Sequence, residues 1–124
     1  LRPQIEAQIS NAIIRRLQED GSLRIEDRPR ADVILVGTVF RYDRIALRSL
    51  RSDTGVPREY RISITVRVEA LDRRTGETVL KSTEVEGTSD VFIGEDQQSA
   101  EMQALPLVAD DIAKRVTGLL VESW

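Results

Sequence analysis

Histidine and cysteine are both absent from this chain of 124 residues. Their absence removes the commonest metal ligands, the usual general base and the thiolate nucleophile together. It also leaves no disulfide framework, so cysteine usage does not report the redox compartment. Aromatic residues make up only 4% of the chain: Phe40, Tyr42, Tyr60, Phe92 and Trp124. Single-strand binders stack bases on exposed rings beside basic side chains. So few scattered rings, in a chain of net charge −3, argue against nucleic acid as a partner.

Long hydrophobic runs are missing as well, and nothing approaches the ~18 apolar residues that a membrane-spanning helix needs. Glycine-rich phosphate loops are absent, because "GTV" and "TGE" have neither the spacing nor the strand-to-helix context of such loops. No serine stands between the paired glycines of a nucleophile elbow. Carboxylates alone remain for chemistry. The adjacent pairs Glu95–Asp96 and Asp110–Asp111 point about 100° apart on a helix and do not converge. Asp110 and Asp111 therefore read as solvated residues beside an apolar stripe. No cofactor and no metal are expected, and the function reads as recognition rather than catalysis.

What is present is the balance of one soluble domain, with 40% apolar and 31% charged residues. The charge is unevenly spread. Residues 41–74 carry nine arginines against five acids, a net +4, whereas residues 75–124 carry three basic groups against ten acids, a net −7. Opposite potentials on different faces follow from such a split. All but two of the 18 basic residues are arginine, whose planar fork binds phosphate and carboxylate in a way lysine does not.

Residues 2–21 place Ile5, Ile9, Ala12, Ile13 and Leu17 at helical spacing, with Gly21 as the stop. Residues 22–27 read as a short extended piece, followed by a turn-like connector with Pro29. "ADVILVGTVFRYDRIALRSL" opens with a run that is apolar on both faces, which predicts a strand inside a sheet, and Gly37 suggests a bulge or a close backbone approach. Residues 51–59 form a polar connection in which Pro57 blocks pairing. "EYRISITVRVEALD" then alternates strictly: Ile62, Ile64, Val66, Val68 and Ala70 face one way, and Arg61, Ser63, Thr65, Arg67 and Glu69 the other.

"DRRTGE" predicts a hairpin with a type I turn through Arg73 and Arg74 and a left-handed Gly76. Residues 78–92 return as its partner strand, with Lys81, Glu84 and Glu86 placing parts of it near an edge or water. From Gln97 to Ser123 the residues Leu105, Val108, Ile112, Val116 and Leu119 form a helical stripe, which Asp96 or Ser99 caps. Pro106 implies either that the main helix begins near Leu105 or that two helical pieces meet there. The fold class is α+β: a two-layer sandwich of a mainly antiparallel or mixed sheet with two helices packed on one face.

Four segments, "EAQISNAIIRRLQEDGSLRI", "ADVILVGTVFRYDR", "REYRISITVRVEALDRRTGETVL" and "ALPLVADDIAKRVTGLLVESW", resemble in order and spacing the LPS-assembly lipoproteins of the LptE family. The least generic pieces are "ADVILVGTV" and the "DRRTGE" hairpin. The resemblance implies one domain over residues 1–124. It further implies a signal peptide, a lipidated N-terminal cysteine and a first strand upstream of the first helix, none of them in this chain, which opens at Leu1 and reads as a trimmed piece of a longer product. It implies a lipid-anchored place on the periplasmic side of the outer membrane, and a non-enzymatic subunit that plugs or supports an LptD-type β-barrel. Lipopolysaccharide is the implied ligand, and its phosphates suit arginine.

The arginines that cluster locally are the candidates for those phosphates: Arg41, Arg44, Arg48 and Arg51 along the end of the long strand and its loop, with Arg58, Arg61 and Arg67 on its neighbour. A plainer role for Arg61 and Arg67 is pairing with Glu84 or Glu86 across the hairpin. The alternative function is a periplasmic envelope adaptor that regulates another protein and does not touch glycolipid. An enzyme using two converging carboxylates ranks behind both.

Overall fold

The computed structural model describes residues 3–21, 30–48, 59–92 and 97–123. The elements run α1 (Pro3–Asp20), β1 (Val33–Arg48), β2 (Glu59–Asp72), β3 (Thr78–Phe92) and α2 (Gln97–Ser123). The short extended piece at residues 22–27, the connection containing Pro57, Asp96 and Trp124 lie outside the described residues. Ser99 lies inside α2, not at its start.

The three strands form an antiparallel meander in the order β1-β2-β3, and two helices complete the α+β architecture expected from the alternation. Strict period-2 patterning assigns β2 its faces. Ile62, Ile64, Val66, Val68 and Ala70 are buried beneath the helices with Ala104, Leu105, Val108, Ile112, Ala113 and Val116 of α2. Helix α2 rests on β3 and β2, and α1 rests mainly on α2. The two helices run in the same direction: Arg16 meets Asp110, and Glu19 and Asp20 border the same hollow as Thr117 and Val121.

Gly21 takes a φ of 77° and donates its N–H to the Leu17 carbonyl, which ends α1 as its glycine predicts. The hairpin also forms as expected. Gly76 has a φ of 78°, its N–H reaches the Asp72 carbonyl at 2.8 Å, and the Asp72 carboxylate accepts the Arg74 N–H at 2.8 Å.

Three local expectations are corrected. The apolar run of β1 predicts a strand flanked on both sides, yet among the described residues β1 is an edge of the sheet, paired only with β2. Apart from the buried Val39, its side chains from Val33 to Leu47 are half-buried or exposed, with Val36 at 40% and Ile45 at 49%, and an apolar groove of about 550 Å³ separates Leu35 and Val39 from Ile13, Ile14 and Leu17 of α1. Gly37 does not carry the bulge: it pairs in register with Val68, and the irregularity falls between Val39 and Arg41. Nor does Pro106 divide α2, which is one helix. Pro106 sits on the exposed side, one turn after the exposed Met102, so water can satisfy the carbonyl that loses its N–H partner.

Candidate ligand and partner surface

Among the described residues the helices cover one face of the sheet and nothing is layered on the other, onto which the odd-numbered residues of β2 from Arg61 to Glu69 project. Two of these are nevertheless buried: Ser63 is 3% and Thr65 5% exposed. Their longer neighbours wall them in. Arg61 stands opposite Asp90, Ser63 opposite Thr88, Thr65 opposite Glu86 and Arg67 opposite Glu84.

Charged pairs rule this face. Arg61 makes a two-pronged contact with Asp90, at 2.9 and 3.3 Å, which holds its guanidinium still more firmly protonated. Arg67 reaches Glu84 at 3.3 Å, and the Ser63 hydroxyl donates to Glu86 at 2.9 Å. The cross-hairpin pairing expected of Arg67 is present. Arg61 takes Asp90 instead of a glutamate, a partner only the register reveals, because the bulges between Val68 and Leu71 shift which residues face each other. Exposed pairs of this kind add little stability and are screened by salt.

A β-bulge on β1 builds the other half of the surface. Val39 pairs with Val66 and Arg41 with Thr65, so Phe40 is the extra residue. Before the bulge the odd residues Leu35, Gly37 and Val39 share the covered face. After it, Tyr42 and Arg44 do, opposite Ile64 and Ile62. Phe40 and Arg41 are thereby brought to the open face together. The Arg67 guanidinium lies 4.6 Å from the Phe40 ring centroid and that of Arg41 lies 5.6 Å from it, both within cation–π range.

The candidate arginines thus divide. Arg41, Arg61 and Arg67 occupy the open face, whereas Arg44 is on the covered side with its guanidinium 5.3 Å from the Tyr60 ring. Arg48 stands opposite Glu59 in register. Arg51 and Arg58 lie outside the described residues. Sequence clustering missed Phe40 as the ring that gathers Arg41 and Arg67. The only signal for it was an aromatic flanked by charge in a strand, which does not announce a bulge.

The acidic pair Asp110–Asp111 has structural employment. Arg16 donates to both Asp110 oxygens at 3.0 and 3.2 Å, tying α1 to α2, and this hydrogen bonding holds the Asp110 carboxyl below its ordinary value. Asp111 turns the other way and accepts the backbone N–H of Thr88 at 3.0 Å. Asp110 is exposed beside the stripe as expected, whereas Asp111 is half-buried and engaged with the backbone of β3, and the two do not converge. Glu95 and Asp96 lie outside the described residues. Among the described residues no group of three metal-ligating side chains gathers, and no helix is long and apolar enough to cross a membrane.

Comparison with known proteins gives a match to the family model for lipopolysaccharide assembly, LptE, over residues 2–117. The match takes in all three strands, α1 and most of α2. No curated protein matches the chain. Among solved structures, it superposes on a protein described as a lipoprotein from Caulobacter crescentus CB15 with a TM-score of 0.68 and 11% identity, covering 99% of this chain and 86% of that one. A minor lipoprotein from Acinetobacter baumannii gives a TM-score of 0.61 and 17% identity, covering 90% and 81%. At such identities these two likenesses speak to the fold alone.

Proposed function

The chain belongs to the LptE family of lipopolysaccharide assembly, and from that premise we propose that it acts as a non-enzymatic subunit at the outer membrane, seated in or against an LptD-type β-barrel. Its protein is held on the periplasmic side by a lipid anchor outside this sequence. The observation that carries the reading is the extent of the family match, which spans nearly the whole domain in order. The geometry supports it. A sheet with one layered face and, among the described residues, one open face of paired side chains offers a broad surface for a protein wall.

Lipopolysaccharide is the proposed ligand, with Arg41, Arg44, Arg48, Arg51, Arg58, Arg61 and Arg67 as the pool from which its phosphate contacts are drawn. Arg61 is the weakest member, since Asp90 already occupies its fork.

Co-purification of the lipidated full-length protein with the tagged assembly barrel of the same organism tests the reading. Stable co-elution is expected. A folded barrel that leaves the protein behind overturns it and favours the periplasmic adaptor that never meets glycolipid.

A further inference from the structure

Among the described residues β3 pairs with β2 alone and has no neighbour on its other side. Its register with β2 runs without a break from Thr83 to Phe92, so alternate residues bond to β2 and the rest turn their N–H and C=O groups outward. The Thr88 N–H shows which set is which, since it bonds not to β2 but to the Asp111 carboxylate of α2, at 3.0 Å. The even-numbered Glu84, Glu86 and Asp90 therefore also present their main-chain groups at the edge.

Space and an exchangeable acceptor lie beside this edge. A groove of about 680 Å³ runs between it and α2, with Val85 and Leu119 in its lining and Lys114 and Arg115 on the helical side. Asp111 stands in for the acceptor that a neighbouring strand would supply. It uses one oxygen for Thr88, and the other lies 3.5 Å from Arg115. An incoming carbonyl that takes the Thr88 N–H thus leaves the carboxylate beside a cation and not stranded.

Charge selects the occupant. On the open face the edge presents Glu84, Glu86 and Asp90 in one row, which ends at Phe92, 61% exposed. From β2, Arg67 gives Glu84 one N–H and Ser63 gives Glu86 one hydroxyl. A carboxylate accepts about four hydrogen bonds, so capacity remains on the side away from β2. A second copy paired about a two-fold axis would set acids against acids, which cross-strand pairing disfavours. A strand with basic side chains at alternate positions instead completes the row, and the Phe92 ring suits such a cation.

We propose that the β3 edge from Glu84 to Phe92 is a strand-addition site, and that its occupant is an extended segment of a partner protein with basic side chains at alternate positions. The LptD-type barrel as the source of that segment rests on the functional reading above, whereas the site rests on the edge itself. Main-chain hydrogen bonds supply the affinity, and the acidic row and the groove select which strand fits.

Hydrogen exchange and variants of the lipidated full-length protein test the site. In the complex with the barrel, the amides of Glu84 and Glu86 should exchange about tenfold or more slowly than in the protein alone. Glu86→Pro removes an outward N–H without taking a bond from β2. It should weaken association about tenfold or more, whereas Glu86→Ala, which keeps the N–H, weakens it by a smaller factor. Asp111→Ala removes the competing acceptor and should tighten association at matched thermal stability. A complex in which Glu84 and Glu86 exchange as before overturns the site, and so do equal effects of proline and alanine, which would assign recognition to the carboxylate. Should Glu86→Pro fail to fold, exchange in the wild type decides alone. A barrel that leaves the wild-type protein behind overturns only the function proposed above. The site is then decided by a synthetic peptide of alternating lysine and valine, which should slow the same two amides where a peptide of alternating glutamate and valine does not. Equal protection by both peptides, or by neither, overturns the proposal.

Discussion

Gly87 of β3 lies directly beneath Ile112 of α2, so that a methyl group at Gly87 would fall 2.8 Å from the Val108 carbonyl oxygen and closer still to the Ile112 side chain. The backbone oxygen cannot swing aside as a flexible side chain does. The helix is therefore seated on the sheet at the one point of β3 where there is no side chain to hold it off.

Gly87→Ala is expected to lower unfolding stability by about 1–3 kcal/mol, because the helix must lift or the strand must bend. Gly118 supplies the contrast. It lies within α2 with nothing near the place its Cβ would take, so Gly118→Ala should raise stability by about 0.5–1 kcal/mol through helix propensity. Urea unfolding of the two variants measures both, and equal effects would mean that the close seat is not tight.

Asp111 protects an edge. Among the described residues strand β3 is one of the two outer strands of the sheet, and the N–H of Thr88 is taken by the Asp111 carboxylate from the helix above. Asp111→Ala should speed hydrogen exchange at Thr88 more than at residues in the centre of β2. Uniform acceleration across the sheet would instead indicate global destabilisation.

Asp110 gives a pH dependence with a definite sign. Hydrogen bonding from Arg16 depresses its carboxyl below the ordinary 3.8 in the folded state, so the native protein binds the proton less readily than the unfolded chain. Its stabilising contribution is present above the unfolded value and is lost as pH falls through the lower folded one. The stability gap between the wild type and Asp110→Asn should thus be small but open near pH 6 and narrow as the pH falls below the ordinary carboxyl value. A gap that widens on acidification has the wrong sign for this pair. High salt should shrink it, since both side chains are partly exposed.

Ile64 and Ile45 test the two faces of the sheet. Ile64 is buried at 1% exposure under the helices, and Ile45 is on the open face. Truncation to alanine should cost about 2–5 kcal/mol at Ile64 and stay within about 0.5 kcal/mol at Ile45. Chemical denaturation decides it, and comparable losses would place a covering layer over the open face.

Arg44→Glu together with Arg48→Glu is expected to weaken lipopolysaccharide binding, most visibly at low salt, with thermal unfolding nearly unchanged. Binding that stays level through a salt titration removes both residues from ligand contact.

Alternation at 62, 64, 66, 68 and 70, the helical stripes, and the glycines at 21 and 76 determined the elements, the meander and the layer that the helices cover. Each of these is a local rule, in which side-chain period or backbone freedom specifies the outcome without reference to distant parts of the chain. Charge counting likewise found the arginine-rich middle of the sequence. Only the tertiary structure decided which arginines keep company. One residue inserted at Phe40 reverses the faces of the strand beyond it, bringing Arg41 to Arg67 and sending Arg44 to the covered side. Register likewise chose Asp90 for Arg61, and helix packing gave Asp110 to Arg16 and Asp111 to the edge of β3. These pairings join residues 29, 94 and 23 positions apart in sequence. They depend on how strands slide and helices land, and no periodicity within a single segment encodes that.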